Sequence, residues 1–115
     1  MTLVLPWPPT VNSYWRRVGN RTILSAKARA YRGAALAACL EQSAPRLGQA
    51  RVRVSVIAYP PDRRRRDLDN LHKGVLDALA FARVFDDDSQ IDELSIIRAY
   101  AEAPGRVLVT VQAIP

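Results

Sequence analysis

The clearest alternation of apolar and polar positions lies in the segment RVRVSVIAY, residues 51–59. Every second position from Val52 to Ala58 is apolar, and the intervening positions begin with Arg51 and Arg53. Side chains alternate between the two faces of a strand, so this pattern predicts a half-buried strand with a basic outer face.

Shorter patterns predict the other strands. Residues Thr2–Leu5 form a short apolar run that the proline-rich PWPP segment ends. Residues 11–25 predict a hairpin that turns near Gly19-Asn20. Two further strands are predicted for residues 91–101 and for the alternating segment 105–114.

Two helices are predicted between these strands. Ser25 is a suitable N-cap for an alanine-rich helix that runs to about Ser43. A second helix is expected to begin at Asp67. Helical spacing then places Asp69, Lys73 and Asp77 on one side of it. The apolar positions on its other side are Leu68, Leu71, Val75 and Leu79.

The predicted order of elements is strands, helix, strand, helix and strands. This order favours a small α+β domain in which a mixed β-sheet is packed against two main helices. Residues 1–115, of which 49% are hydrophobic, are expected to form this single domain. No apolar run approaches the ~20 residues of a membrane span, and the first residues do not resemble a signal peptide, so a cytoplasmic location is expected.

Charge is divided unevenly along the chain, which has a net charge of +6. Residues 1–66 contain 13 basic and 2 acidic residues, a net of +11, whereas residues 67–115 contain 4 basic and 9 acidic residues, a net of −5. The boundary falls where Arg63–Arg66 precede Asp67 and Asp69. A basic surface beside an acidic pocket suits a polyanion bound next to a cation. The other interpretation is unevenly distributed solvated charge.

The single cysteine and the single histidine restrict the chemistry. Cys39 alone can form neither an internal disulfide nor a cysteine-based zinc site, and its apolar neighbours favour a core position. A serine or cysteine nucleophile would need His72, and no other residue supports such a site. The metal ligands that remain are carboxylate oxygens, which favour Mg²⁺ or Mn²⁺.

The acidic residues around the second predicted helix could form such a metal site. At the helix start the backbone of Asp67 need not be helical, which allows its side chain to converge with that of Asp69. The acidic loop Asp86–Asp88 follows the helix and could fold back toward both. Crowded carboxylates repel one another, and a divalent cation removes that cost. The structural alternatives are a cap by Asp67, turn formation by the acidic loop, and a surface ion pair of Asp69 with Lys73.

Four segments in succession carry a resemblance to a known family. They are LPWPP, an asparagine and a tyrosine shortly after it, PDRRRRDLDNLHKGVLDAL and DDSQI. Over nearly its whole length the chain resembles the RusA family of Holliday junction resolvases, and the arginine-rich segment and the DDSQ segment are the most specific parts. The resemblance implies a small, homodimeric, Mg²⁺-dependent endodeoxyribonuclease of mixed α/β fold. Such an enzyme makes paired symmetric nicks across a four-way DNA junction.

The resemblance also implies the roles of individual residues. Asp67, Asp69 and Asp88 match the metal-binding carboxylates of the family, and Lys73 matches its catalytic lysine. Asp88 is preferred to Asp87 because it directly precedes Ser-Gln-Ile and so gives the family's Asp-x-Gln spacing. Lys73 is expected either to stabilise the transition state or to protonate the leaving oxygen.

The arginines are predicted to bind nucleic acid. The residues expected to contact backbone phosphates are Arg51, Arg53, Arg63, Arg64, Arg65 and Arg66. Two alternatives stay open: a non-enzymatic basic nucleic-acid-binding module, and a metal-dependent nuclease that acts on another nucleic acid such as RNA. The combination of carboxylates with Lys73 favours an enzyme, because a pure binder gains nothing from acids beside its phosphate contacts.

A two-fold protein would match a two-fold junction, so the expected assembly is a homodimer. The alternative is a monomer that nicks branched DNA once and dissociates. Ile57 and Tyr59 fall on the outer face of the strand at residues 51–59. They are expected either to cover an interface between two copies or to meet a helix of the same chain.

Overall fold

The computed structural model describes residues 1–115, the whole chain, with six strands and three helices. The strands are β1 (Thr2–Pro6), β2 (Trp15–Val18), β3 (Arg21–Leu24), β4 (Val52–Tyr59), β5 (Ile91–Arg98) and β6 (Arg106–Ala113). The helices are α1 (Val11–Tyr14), α2 (Ala26–Glu41) and α3 (His72–Phe81). None of them is long and apolar enough to cross a membrane.

The central sheet has four strands in the order β1-β6-β4-β5. β6 is antiparallel to both of its neighbours, whereas β4 and β5 are parallel. Parallel neighbours need a long crossover connection, and here the crossover contains α3. β2 and β3 form the separate antiparallel hairpin that the sequence predicts, but its strands begin at Trp15, and the four residues before it form α1 instead. The structure confirms the expected α+β domain with a mixed sheet and two main helices, α2 and α3.

The alternation in β4 decides which face of the sheet is covered. The even-numbered side chains from Val52 to Ala58 are buried and share one core with residues of β1, β6, α2 and α3. The opposite face carries Ile57 and Tyr59, which are only partly buried. Tyr59 meets Arg106 and Tyr100, from a strand and a loop. The expectation that a helix of the same chain meets these residues is therefore wrong, because both main helices pack on the other face.

The start of α2 agrees with the prediction. The Ser25 hydroxyl accepts a hydrogen bond from the backbone N–H of Ala28 at 3.1 Å, which satisfies one of the free donors of the first turn. The helix ends at Glu41, two residues before the predicted end. Ser43 has a φ of 54°, in the left-handed region, and that conformation cannot continue a right-handed helix.

The start of α3 differs from the prediction. Residues Leu68–Asn70 form a 3₁₀ turn, and the α-helix begins at His72 rather than at Asp67. The backbone N–H of Asn70 donates to the Asp67 carbonyl and that of Leu71 donates to the Leu68 carbonyl. These i→i+3 bonds use the carbonyls that an α-helix would offer to residues four positions later, so the chain is wound more tightly. Asp67 itself has extended backbone and makes no capping hydrogen bond.

A charged cluster joins the three helices. Arg32 of α2 makes a bidentate ion pair with Asp77 of α3, with N–O distances of 2.7 and 2.8 Å. The hydroxyl of Tyr14, from α1, donates to the same carboxylate, and the Arg32 guanidinium lies over the Phe81 ring. Lys73 and Asp77 line one cavity and so share a side of α3, as the helical spacing predicts, whereas Asp69 lies in the 3₁₀ turn before the helix. Asp77 is half-buried there, between helices.

The cluster also changes the pKa of Asp77. Partial burial by itself raises the pKa of this carboxyl, but the hydrogen bonds from Arg32 and Tyr14 outweigh burial, and the net pKa is below the usual range. A carboxyl whose pKa is lower in the folded state stabilises the fold above its unfolded pKa. That stabilisation is lost as the pH falls through the lower, folded value.

We expect Asp77→Asn to lower the free energy of unfolding at neutral pH by roughly 2 kcal/mol, because it leaves the Arg32 guanidinium without a charged partner. The difference in the free energy of unfolding between this variant and the wild-type protein should become smaller as the pH is lowered below about 4. Urea unfolding across this pH range measures it. Glu41→Gln is the matched control, since Glu41 is exposed and makes no ion pair. A constant difference at all pH values would show that charge is not the cause.

Candidate active site

The acidic residues of the chain fall into a paired and an unpaired group. Five of the 11 acidic residues make ion pairs with arginine: Asp62, Asp77, Asp92, Glu93 and Glu102. Apart from Glu41, the unpaired group consists of Asp67, Asp69 and the loop Asp86–Asp88. These are the acidic residues that the sequence places around the metal site. They have no cationic partner although the chain contains 17 basic residues.

One cavity brings Lys73 together with the end of the acidic loop. It has a volume of about 240 Å³ and lies between α3, the loop and the first residue of the hairpin. Its lining residues are Trp15, Lys73, Leu76, Asp77, Ala80, Asp87 and Asp88. Lys73 is exposed, so its ammonium group can reach an anion held in or above this cavity. Trp15 is not among the site residues predicted from the sequence. The only signal for it there is its position directly after Tyr14.

Asp67 lines a second cavity, which has a volume of about 340 Å³. Arg65, Arg66 and Asn70 are among the other residues that line it. Asp69 is exposed within the 3₁₀ turn that separates Asp67 from α3. No three carboxylates, histidines or cysteines lie close enough together to hold a metal ion. The structure therefore places Lys73 with Asp88, and the convergence of Asp88 with Asp67 and Asp69 stays a prediction.

Gln90 holds the acidic loop in place. Its side-chain oxygen accepts hydrogen bonds from the backbone N–H groups of Asp86 and Asp87, at 2.9 and 2.7 Å. Its side-chain nitrogen donates to the carbonyl oxygens of Gly48 and Ala50, at 2.8 and 2.7 Å. The side chain is buried and all its hydrogen-bonding atoms are used, which makes it a rigid connection between the loop and the chain before β4. In the sequence, the only sign of this role was its place in the DDSQ segment.

Asp87 and Asp88 differ in what their carboxylates do. The Asp87 side chain caps the 3₁₀ turn Asp88–Gln90 and accepts a hydrogen bond from the backbone N–H of Ser89 at 2.9 Å. Hydrogen bonds from the hydroxyl and the backbone of Ser89 lower the pKa of Asp87. The Asp88 carboxylate accepts no hydrogen bond. Asp88 is therefore the one of the two whose oxygens are all free to bind another group.

Two of the arginines predicted to contact DNA are neutralised within the sheet. Arg51 and Arg53 of β4 make ion pairs with Asp92 and Glu93 of the neighbouring strand β5. The hydrogen bonds and charges of these partners raise the pKa of both guanidinium groups and lower the pKa of both carboxyls. A phosphate must compete with these carboxylates for either arginine.

The other four predicted arginines belong to the segment at residues 62–67, which we call the arginine loop. Arg66 has a structural position: its guanidinium pairs with Asp62 at 2.8 Å and lies 5.7 Å from the Trp7 ring centroid. Arg64 lies 3.7 Å from the same carboxylate. Arg63 and Arg65 are exposed and make neither an ion pair nor a side-chain hydrogen bond. They are the members of the loop whose charge is fully available.

Known proteins are similar to this chain over most of its length. Residues 6–112 match the family Endodeoxyribonuclease RusA. A crossover junction endodeoxyribonuclease of Enterobacteria phage HK97 is 41% identical over 90% of this chain and 87% of its own length. The Escherichia coli K12 protein with that name is 37% identical over 96% of this chain and 92% of its own length, and that of Enterobacteria phage 82 is 38% identical over 95% and 91%.

The match covers every element that contributes to the two cavities, from α1 to the turn after the acidic loop. A family match over more than nine-tenths of the chain establishes membership. The chain that carries the arginine loop, the unpaired carboxylates and the lysine of α3 therefore belongs to the RusA family of endodeoxyribonucleases.

Proposed function

We propose that this protein is a crossover junction endodeoxyribonuclease, which cuts four-way and other branched DNA by paired symmetric nicks. The observation that carries the proposal is the set of unpaired carboxylates beside Lys73 and the arginine loop. Five acids that stay unpaired in a protein with a net charge of +6 are available to bind a cation. The names of the related phage and bacterial proteins support four-way junctions as the substrate. We place the enzyme with its DNA in the cytoplasm.

The donor atoms fit a hard divalent cation. Asp67, Asp69 and Asp88 would hold Mg²⁺ or Mn²⁺, since both ions prefer carboxylate oxygens. When bound, the ion supplies Lewis-acid stabilisation of the phosphate charge and lowers the pKa of a water molecule. Lys73 acts from the same cavity as Asp88. Its ammonium group either stabilises the negative charge that develops on the phosphate or donates a proton to the leaving oxygen.

Single Asp→Asn substitutions test the metal ligands. Asp67→Asn, Asp69→Asn and Asp88→Asn should each reduce cleavage of a labelled four-way junction in Mg²⁺ by roughly a hundredfold or more. Junction binding without metal should persist or become tighter, because a negative charge beside DNA is removed. Chelation of the metal should abolish wild-type cleavage, and added Mg²⁺ or Mn²⁺ should restore it.

Two controls make this test specific. Glu41→Gln changes an unpaired acid at the end of α2 and should leave cleavage unchanged. Asp87→Asn distinguishes the two positions of the loop: full activity of Asp88→Asn with loss of activity in Asp87→Asn would move the third ligand to Asp87. Normal cleavage by all of the aspartate variants would show that these carboxylates hold no catalytic metal. Junction binding by the wild-type protein without any cleavage in Mg²⁺ or Mn²⁺ would instead support a non-enzymatic DNA-binding module.

The arginine loop should bind backbone phosphates, which we test through the salt dependence of junction binding. Arg63→Ala and Arg65→Ala should each make the log–log dependence of affinity on salt less steep, by about 0.9 for each phosphate that the variant no longer binds. Arg51→Ala and Arg53→Ala should have smaller effects, because their charges are paired with Asp92 and Glu93. An unchanged slope in the double variant of Arg63 and Arg65 would show that the loop faces away from DNA.

We propose that the protein acts as a homodimer, and the uncovered face of the sheet is the surface that suits a second copy. Strand register aligns Val4, Leu108, Ile57 and Ile97 in one row across all four strands of this face. Val4 and Ile97 are 44% and 59% exposed. We call these four residues the apolar row. A row of apolar side chains across a face that no helix covers is typical of an interface between identical subunits.

Ile97→Lys tests this assembly, because it places a charge in the apolar row. In sedimentation equilibrium at micromolar concentration, the wild-type protein should have twice the chain mass of 12.8 kDa. The variant should have the mass of one chain. Leu40→Lys on α2, at a similarly exposed apolar residue away from the row, should stay dimeric. A wild-type mass of one chain would refute the dimer and favour the monomer that nicks once.

A mixed dimer then tests the division of labour between subunits. With one wild-type subunit and one Asp69→Asn subunit, the enzyme should nick one strand of the junction without releasing duplex products. Complete resolution by this mixed dimer would mean that a single site cuts both strands.

A further inference from the structure

The β2–β3 hairpin is firmly anchored at its base and exposed at its tip. The backbone N–H of Ser25 donates to the Tyr14 carbonyl at 3.0 Å, and the Ser25 hydroxyl donates to the Ser13 carbonyl at 2.6 Å. Tyr14 is buried and is hydrogen-bonded to Asp77 of α3. All four residues of β2 and the turn at Gly19 are exposed. The hairpin therefore projects from the same helices that form the candidate active site.

The charge of this hairpin is not compensated within the chain. Arg16, Arg17 and Arg21 are exposed and make no ion pair and no side-chain hydrogen bond. No acidic residue precedes Glu41 in the sequence. The arginines of β4, by contrast, are paired with acids of the neighbouring strand. An arginine of this hairpin that faces DNA could therefore bind a phosphate without giving up an existing ion pair.

Strand register separates these arginines into two faces. Trp15 pairs with Leu24 and Arg17 pairs with Thr22, so Trp15 and Arg17 lie on one face of the hairpin. Arg16 and the Val18–Arg21 pair lie on the other face. Because Trp15 lines the cavity of Lys73 and Asp88, the Trp15 face is the one that continues the candidate active site. We call it the cavity face.

Trp15 has an unusual position for a tryptophan. Its side chain is 44% exposed, and its ring contacts Tyr14 edge-on, with 5.5 Å between the ring centroids. An exposed indole beside unpaired cations is the arrangement that nucleic-acid-binding proteins use to stack on bases. In a continuous duplex both faces of each base pair are covered by neighbours. At a branch point a base face can become accessible.

We propose that the cavity face of the β2–β3 hairpin is a DNA-binding surface that recognises the branch point. Arg17 binds a backbone phosphate next to the scissile one, and the Trp15 ring stacks on a base face that is exposed at the branch. Trp15 thus contributes to the preference for branched over continuous DNA, whereas Arg17 contributes to affinity for both. This inference rests on the proposed function, since it assumes that branched DNA occupies the cavity of Lys73 and Asp88.

The two faces of β2 provide a matched pair of variants for the phosphate contact. Arg17→Ala should weaken binding of both junction and duplex, measured without metal. It should also make the log–log salt dependence less steep by about 0.9. Arg16→Ala removes the same charge one position away, on the opposite face, and should leave the slope unchanged. Equal effects of the two variants, or no effect of Arg17→Ala, would overturn the assignment of the cavity face.

The stacking contact is tested by the ratio of junction affinity to duplex affinity. Trp15→Ala should lower junction affinity about tenfold and leave affinity for a duplex of the same sequence unchanged. Trp15→Phe should retain most of the preference, since it keeps an aromatic ring. Leu40→Ala, which shortens an exposed apolar side chain elsewhere, should bind as the wild-type protein does.

A fluorescent base analogue separates stacking from a structural role of Trp15. With 2-aminopurine at the branch point, the wild-type protein and Trp15→Phe should change its fluorescence, and Trp15→Ala at saturating concentration should not. If Trp15→Ala keeps the junction preference of the wild-type protein, this inference is wrong. Cleavage of the junction by the wild-type protein would still support the proposed function in that case. Failure of the wild-type protein to cleave or prefer any junction would instead overturn the proposed function.

Discussion

The bidentate ion pair between Arg32 and Asp77 is the interaction on which the candidate site depends. It joins α2 to α3 at a half-buried position, where a charge-assisted, two-point contact is stronger and more directional than at an exposed one. Lys73 lies one turn earlier on α3, so the ion pair also limits where its ammonium group can be. Tyr14 binds the same carboxylate and thereby attaches the hairpin that begins at Trp15. One carboxyl group therefore orients both α3, which carries Lys73, and the projecting hairpin.

The distribution of ion pairs distinguishes structural acids from available ones. The acids of β5 are paired with arginines of β4, and Asp62 is paired with Arg66 inside the arginine loop. The pairs of β4 with β5 use the basic charge of the sheet, whereas Arg63 and Arg65 of the arginine loop and the arginines of the hairpin are unpaired. Asp67, Asp69 and Asp88 have no cationic partner either. These charges could therefore bind phosphate or a cation without separating an existing ion pair.

The two faces of the central sheet differ in what covers them. One face is buried against the helices and supplies nearly all of the stabilising apolar contact. The other carries the apolar row, which no helix covers. The active-site residues belong to neither face: they lie on α3 and on loops at its two ends. Gln90 compensates for the mobility that such a loop would otherwise have, because its four hydrogen bonds connect the acidic loop to the chain before β4.

The sequence by itself determined the fold class and most element boundaries, because these depend on local patterns, whereas the composition of the site stays a prediction. The two-residue period of β4 and the cap at Ser25 need no knowledge of distant contacts. The start of α3 was wrongly predicted because a 3₁₀ turn and an α-helix have nearly the same periodicity over three residues. Only the tertiary structure decided that Arg51 and Arg53 are neutralised, that Asp77 is shared with Arg32 and Tyr14, and that Trp15 lies beside Lys73. Each of these facts is a contact between residues far apart in the sequence, and no local pattern records which side chains the folded chain brings together.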